Sequence, residues 1–300
     1  MLVAYVFPGQ GSQFVGMGRD LYQQSPAAKA VFDEADAVLG FSLSRLCFEG
    51  PEEELRQTMN VQPAIVVMSL ACLVSARDKL PVPAFVVGHS LGEYTALAAA
   101  GVIGFADAIR LARERGRLMH EAGLQSPGAM VAVLGMDEDK LAPICAASGV
   151  QIANINCPGQ LVISGSREGI ARASDLAKSA GAKRLVPLAV SGAFHTELMR
   201  PAAGGLAQFL DGLVFAEPEV PIVANTTAEP VDSGAALKSE LKEQLCRCVR
   251  WQRSVEYMVD DGVTTFIEIG PGKVLSGLIK RINPGVETQN IGDAVTINNL

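Results

Sequence analysis

The sequence has little of several residue types that mark particular classes of protein. Its 300 residues include three histidines and one tryptophan, and aromatic residues make up only 5%. Basic residues number 25 against 32 acidic ones, which argues against a broad nucleic-acid-binding surface. No apolar run approaches the ~18 residues of a membrane span, and no basic segment precedes the first apolar run. With 49% hydrophobic residues, this composition favours a globular enzyme, and we expect it in the cytoplasm.

The six cysteines show no pattern typical of a metal site or a redox pair. They contain no C-x-x-C spacing, and the single C-x-C, Cys246 and Cys248, has no histidine nearby. We therefore expect reduced, structural thiols and no bound metal.

Short apolar runs that end in glycine-rich turns indicate an α/β fold. Such runs precede PGQGSQ (8–13), GHSLGE (88–93) and GPGK (270–273), and a helical pattern follows each of them. This alternation predicts parallel strands with crossover helices, and functional sites form where such strands end. A dinucleotide site is disfavoured, because Phe14 stands where the third glycine of its fingerprint is needed.

The segment from Gly128 to Leu188 predicts a second, smaller unit. Its pattern of strand, helix, two strands around a turn, helix and strand is the ferredoxin-like βαββαβ order. We predict an α/β-hydrolase-like catalytic subdomain (1–126 and 192–300) with a parallel sheet, a ferredoxin-like subdomain (127–191) inserted into it, and a cleft between them. After Pro284 the pattern is weak and fits either a last short strand or a loose end.

Ser90 is the candidate nucleophile. A strand-to-helix turn tight enough to expose its central side chain crowds the positions two before and two after it, where this sequence has Gly88 and Gly92. Such a turn directs free helix N–H groups toward whatever the serine attacks. The alternative is that Ser90 only caps a helix, since serine is a good N-cap residue.

A reactive serine needs a proton acceptor, and the three histidines are the candidates. His89 adjoins Ser90, so we expect it to point elsewhere and pack. His120 lies near a helix end among polar residues. His195 follows the last strand of the smaller unit, at the cleft, and is the predicted base. No Asp or Glu stands where it would orient this imidazole, so either a backbone carbonyl does so or the base is a different group.

Arg115 is the candidate residue for binding an anionic group. In the helix predicted over 107–123 it falls in the middle of the apolar face. A guanidinium stays charged, so an inward arginine requires an anionic partner. The residues alone leave two alternatives open, an internal carboxylate and the carboxylate of a substrate.

Several stretches, in the same order, resemble the malonyl-CoA:acyl carrier protein transacylases and the related acyltransferase domains of polyketide synthases. The resemblance covers nearly the whole chain and implies ping-pong transfer of malonyl from malonyl-CoA, through a malonyl-serine, to the phosphopantetheine thiol of acyl carrier protein, for fatty-acid synthesis and without a cofactor. The matching stretches are FPGQGSQ (7–13), QPA (62–64), GHSLGE (88–93), RERGRLM (113–119), ANINCPGQLVISG (153–165), SGAFH (191–195), VRW (249–251) and IEIGPGKVLSGL (267–278).

The resemblance also implies catalytic roles at matching positions. Ser90 would be the acylated nucleophile and His195 its base. The carbonyl of Gln244 would orient the imidazole, which would account for the missing acid. The backbone N–H groups of Gln10 and Leu91 would form the oxyanion hole.

Further positions match substrate-binding residues of the family. Arg115 would hold the malonyl carboxylate, while Gln62 and Asn156 match polar pocket residues. Phe194 resembles a bulky residue that disfavours α-branched acyl groups, a bias of ~1–3 kcal/mol. One departure is Cys248, which stands where the family usually has proline before V-R-W.

The expected partners are malonyl-CoA and acyl carrier protein, with no nucleic acid and no membrane, and we expect a monomer. Because acyl carrier proteins are acidic, docking is expected to use local basic residues, namely Lys183, Arg184, Lys273, Lys280 and Arg281. Three alternatives stay open. They are a free-standing acyltransferase of a polyketide synthase or malonate decarboxylase system, a serine thioesterase or esterase, and a non-catalytic carrier-binding subunit.

Overall fold

A computed structural model describes residues 2–300 of the chain. In chain order its strands are β1 (Leu2–Phe7), β2 (Phe85–Gly88), β3 (Gly128–Leu134), β4 (Gln151–Cys157), β5 (Gln160–Ser166), β6 (Arg184–Pro187), β7 (Ile222–Val223), β8 (Pro230–Val231), β9 (Val263–Ile269) and β10 (Glu287–Ile291). Its helices are α1 (Arg19–Gln24), α2 (Pro26–Leu39), α3 (Leu43–Glu49), α4 (Glu52–Leu55), α5 (Thr58–Ala76), α6 (Gly92–Ala99), α7 (Phe105–Gln125), α8 (Glu138–Ser148), α9 (Arg167–Ser179), α10 (Arg200–Asp211), α11 (Gly234–Gln244), α12 (Trp251–Asp260), α13 (Val274–Ile282) and α14 (Ala294–Asn298).

The larger sheet has six strands in the order β10-β9-β1-β2-β7-β8. All pairs are parallel except β7 with β8, at one edge. Its central strands β1 and β2 are buried almost throughout, as expected for a parallel sheet covered by helices on both faces. The carboxyl ends of β1 and β2 therefore lie side by side, and the loops that follow them meet at one edge of the sheet.

The smaller sheet is antiparallel, in the order β4-β5-β3-β6, and α8 and α9 complete the βαββαβ pattern. Successive residues of β3 point to opposite faces of the sheet, as the period of a strand requires. Val131 and Val133 pack in a core with α8 and α9, whereas Met130 and Ala132 join the core of the larger unit. The predicted fold class is confirmed. The subdomain boundaries at 127 and 191 stay a prediction.

Helix α5 forms the centre of the larger unit. Almost every one of its residues is buried, and it packs against α7 and α2. The helical segment Thr58–Lys79, with a mean hydropathy of 1.7, is long and apolar enough to cross a membrane. The expectation that no apolar segment would approach the length of a membrane span was therefore wrong. Because 78% of its most apolar stretch is buried inside the protein, we interpret the segment as a core helix.

The last part of the chain is ordered. Strand β10 pairs with β9, so a last short strand is confirmed, and α14 follows with Asp293 as its N-cap. Asp293 accepts from the Thr296 N–H, while the Thr296 hydroxyl accepts from the Asp293 N–H, which makes a capping box.

All six cysteines are free thiols, five of them buried and Cys248 half-buried. Burial raises the pKa of each of them, to about 11 for Cys145 and Cys246 and to about 12 for Cys248. We infer that these side chains pack as small apolar groups.

Candidate active site

Ser90 occupies a tight turn between β2 and α6. A Cβ at Gly88 would lie 1.8 Å from the carbonyl carbon of Gly92, and a Cβ at Gly92 would lie 2.0 Å from the carbonyl oxygen of Phe7. Only glycine fits at either position. The backbone of Ser90 has a φ of 52°, in the left-handed region that residues other than glycine rarely adopt. The turn is therefore a strained elbow that presents the serine hydroxyl at the end of β2.

The structure brings Ser90 together with two residues that are distant in sequence. Its Oγ lies 2.7 Å from Nε2 of His195 and 3.1 Å from Nη2 of Arg115. His195 also has a left-handed backbone, with a φ of 60°. The three residues predicted as nucleophile, base and anion binder thus lie within hydrogen-bond distance around one hydroxyl.

The imidazole of His195 is oriented by main-chain carbonyls. It is buried, and its Nδ1 lies 2.9 Å from the carbonyl oxygen of Gln244 and 3.2 Å from that of Arg247. Because carbonyls only accept, Nδ1 carries the proton and Nε2 is left to accept from the Ser90 hydroxyl. Burial, together with the charge of Arg115, lowers the pKa of His195 to about 3. The ring is therefore neutral at pH 7, as a general base must be.

Asn225 holds the elbow and was missed by the sequence reasoning. Its Oδ1 accepts from the Ser90 N–H at 2.7 Å, and its Nδ2 donates to the Gly88 carbonyl at 2.7 Å. Asn225 follows β7, the strand that pairs with β2. A polar side chain just past a strand end was the available signal, but β7 is only two residues long and the sequence pattern does not reveal it.

Arg115 lies on α7 with 1% of its surface exposed. Its Nη1 donates to Oε1 of Gln62 at 2.9 Å, and its Nη2 donates to Oε1 of Gln244 at 3.1 Å. The guanidinium carbon is 5.0 Å from the centroid of the Tyr94 ring, which adds a cation–π contact. Within residues 2–300 no carboxylate forms an ion pair with this guanidinium, and its Nε–H has no hydrogen-bond partner. A buried cation without a carboxylate partner is suited to bind an anion from outside the chain.

Two adjoining cavities lead to Ser90. The inner one has a volume of about 100 Å³, and the outer one, of about 260 Å³, lies between the larger unit and the smaller sheet. They share Gln10, His89, Asn154 and Leu188 as lining residues, so together they form one path from the cleft to the hydroxyl.

Two residues with free backbone N–H groups line the inner cavity. Gln10 and Leu91 line it beside Ser90, and in the described part of the chain neither N–H donates to another protein atom. Gln10 follows β1 and Leu91 precedes α6, so both lie at the edge where the parallel strands end. Free N–H groups at this place can stabilise negative charge that develops on a carbonyl oxygen.

Comparisons with known proteins decide the family. The acyl transferase domain family matches residues 4–297. The chain belongs to this acyltransferase family. It is 50% identical to the malonyl CoA-acyl carrier protein transacylase of Bacillus subtilis over 98% of this chain and 95% of the relative. It is 47% identical to the enzyme of that name from Escherichia coli K12, over 93% and 92%.

Solved structures of the acyltransferase family agree. An acyl-carrier-protein S-malonyltransferase from Bartonella henselae superimposes with a TM-score of 0.96 at 42% identity, covering 100% of this chain and 98% of that one. A malonyl-transacylase solved in complex with a type II polyketide synthase acyl-carrier protein gives the same TM-score at 43% identity, with the same coverage. The family resemblance found in the sequence is confirmed.

The remaining predicted pocket residues take different places in this acyltransferase. Phe194 lines the inner cavity. Gln62 is buried behind Arg115 and contacts it. Asn156 lines the outer cavity, where its Oδ1 lies 2.8 Å from Nε2 of His89, whose ring packs 5.4 Å from that of Trp251. His89 is thus turned away from Ser90, as expected.

Proposed function

We propose that the chain transfers a malonyl group from malonyl-CoA to the phosphopantetheine thiol of acyl carrier protein through an ester on Ser90. The observation that carries this proposal is the position of the Ser90 hydroxyl between the imidazole of His195, at 2.7 Å, and the buried guanidinium of Arg115, at 3.1 Å, which has no carboxylate in direct contact. The names of the Bacillus subtilis and Escherichia coli relatives support the same substrate pair.

In the first half-reaction the Ser90 oxygen attacks the thioester carbonyl while Nε2 of His195 takes the hydroxyl proton. The carbonyl oxygen becomes negatively charged and is stabilised by the N–H groups of Gln10 and Leu91. The carbon–sulfur bond then breaks, the imidazolium gives its proton to the sulfur, and coenzyme A leaves. A malonyl ester remains on Ser90.

In the second half-reaction the carrier thiol takes the place of coenzyme A. Its proton passes to His195 as the sulfur attacks the ester carbonyl, and the same N–H groups stabilise the oxyanion. The carbon–oxygen bond breaks, and the proton on His195 restores the Ser90 hydroxyl. No cofactor or metal enters the proposed steps.

Arg115 supplies the selectivity for malonyl. A carboxylate in the inner cavity would form an ion pair with the guanidinium of Arg115 through charge-assisted hydrogen bonds, each worth about 1.5–3 kcal/mol. A neutral acyl group such as acetyl leaves the buried guanidinium without a carboxylate in direct contact. Phe194 lines the same cavity, and we expect its ring to disfavour acyl groups that are branched at the α-carbon.

We extend the proposal to a monomeric cytoplasmic enzyme that serves fatty-acid synthesis. Because a structural neighbour was solved with a polyketide synthase carrier, service to that pathway is the alternative. Among the basic residues expected to dock a carrier, Arg281 donates to the side chain of Gln160, which lines the outer cavity. Transfer rates to carriers from the two pathways would separate the alternatives.

Intact mass spectrometry with malonyl-CoA tests the proposal. The wild-type chain should gain one malonyl group, release one equivalent of coenzyme A and pass the group to phosphopantetheinylated carrier protein. Ser90→Ala should gain nothing, and carrier protein without its phosphopantetheine arm should accept nothing. Continuous release of coenzyme A without an acceptor would identify a thioesterase and overturn the proposal.

A further inference from the structure

Glu93 is a buried carboxyl group that the proposed reaction steps do not use. It is the second residue of α6, and its side chain is fully buried. One of its oxygens accepts from the Asn225 N–H at 3.2 Å, and the other accepts from Nε2 of Gln244. Burying a carboxyl group is costly, so a group held there by two donors calls for an explanation.

Gln244 links Glu93 to the arginine. Its Nε2 donates to Glu93 and to the Ser90 carbonyl, the latter at 3.0 Å, while its Oε1 accepts from Arg115 at 3.1 Å. Its main-chain carbonyl, at the end of α11, also holds His195. The orientation of a side-chain amide is set by its neighbours, because its oxygen and nitrogen ends have similar shapes.

We propose that Glu93 is a positioning residue that turns the Gln244 amide so that its oxygen faces Arg115, and that it thereby sustains the preference for acyl groups bearing a carboxylate. This inference rests on the proposed function. Glu93 acts through Gln244 and does not touch the substrate.

The substitution Glu93→Gln probes this role because it keeps the shape of the side chain. The backbone N–H of Asn225 can only donate, so it requires the oxygen of the new amide at position 93. The NH₂ of that amide then faces the NH₂ of Gln244, so two donors oppose each other there, while the Ser90 carbonyl and Arg115 still favour the native orientation of the Gln244 amide. The Gln244 amide must therefore either reverse and turn its NH₂ toward Arg115 or move away from position 93, and both outcomes weaken its hold on the guanidinium.

The experiment measures kcat/KM for malonyl-CoA and for acetyl-CoA on the same preparation. In E93Q we expect the malonyl-to-acetyl ratio to fall by about tenfold or more, since a small displacement of a binding group is costly. A loss of folded protein lowers both rates equally and leaves the ratio unchanged. The matched control is Glu240→Gln, because Glu240 is a neighbouring, largely buried carboxyl group that contacts Thr226 and not Gln244.

A double-mutant cycle identifies the route. If Glu93 acts through Arg115, then E93Q should leave the ratio unchanged in an R115A background. An unchanged ratio in E93Q alone, an equal fall in E240Q, or a further fall of the ratio in the double variant would overturn the inference. Failure of the wild-type chain to accept malonyl would instead overturn the proposed function, so the two failures are distinguishable.

Discussion

The two sides of the inner cavity are built differently. On the nucleophile side, the Ser90 N–H is held by Asn225 and His195 is held by main-chain carbonyls. On the arginine side, Arg115 is held by the side-chain amides of Gln62 and Gln244.

This difference separates reactivity from selectivity. The main-chain carbonyls that orient His195 depend on the course of the backbone, which few substitutions alter. A hydrogen bond between two side chains, in contrast, can be removed by a single substitution. We therefore expect changes on the nucleophile side to affect all acyl donors alike, and changes on the arginine side to affect some donors more than others.

The largest effect is expected from His195→Ala. Without the base, kcat/KM should fall by about 10³- to 10⁴-fold for malonyl-CoA and acetyl-CoA alike. Steady-state kinetics with both donors check this. A fall confined to malonyl-CoA would contradict the division between the two sides.

A smaller and selective effect is expected from Arg115→Ala. Loss of a charge-assisted contact should lower kcat/KM for malonyl-CoA by about ten- to a hundredfold. Acetyl-CoA has no carboxylate to lose and should be affected little, so the preference for malonyl should largely disappear. Competition between the two donors measures the ratio, and equal losses for both would remove Arg115 from its proposed role.

Phe194→Ala should produce a gain instead of a loss. Removing the ring enlarges the inner cavity, so the methylmalonyl-to-malonyl ratio of kcat/KM should rise, by about tenfold for the relief of one misfitting methyl group. Assays of the two donors with the same carrier protein check this. Phe194→Tyr keeps the bulk of the ring and should leave the ratio unchanged.

The smallest effect is expected from mild acid. The pKa of His195 is lowered from about 6.5 to about 3, so the folded chain keeps a neutral base well below pH 6.5, and acylation should change less than about twofold between pH 7 and pH 5. In the unfolded chain the imidazole takes up a proton as the pH falls below 6.5. This contribution to stability is therefore complete above pH 6.5 and declines as the pH falls toward 3. Stopped-flow acylation against pH measures the first effect, and a half-maximal rate near pH 6.5 would contradict it.

The sequence predicts the parts of the site that obey local rules. Ser90 was found because its turn requires glycine on both sides, and Arg115 because its helix places a charge on an apolar face. Asn225 and Glu93 were missed because their contacts join residues more than a hundred positions apart. Near β7 the local pattern is too short to show which strand lies beside β2, so the contacts that hold the elbow emerge only from the tertiary structure.

The burial of the cysteines has a kinetic consequence for an enzyme that handles thioesters. Thiolates exchange acyl groups readily with thioesters, whereas protonated thiols do not. The raised pKa of all six cysteines keeps them protonated, and burial keeps five of them out of reach of solvent. We therefore expect none of them to react with a bound thioester, so that an activated acyl group is not diverted into a dead-end adduct before the carrier arrives.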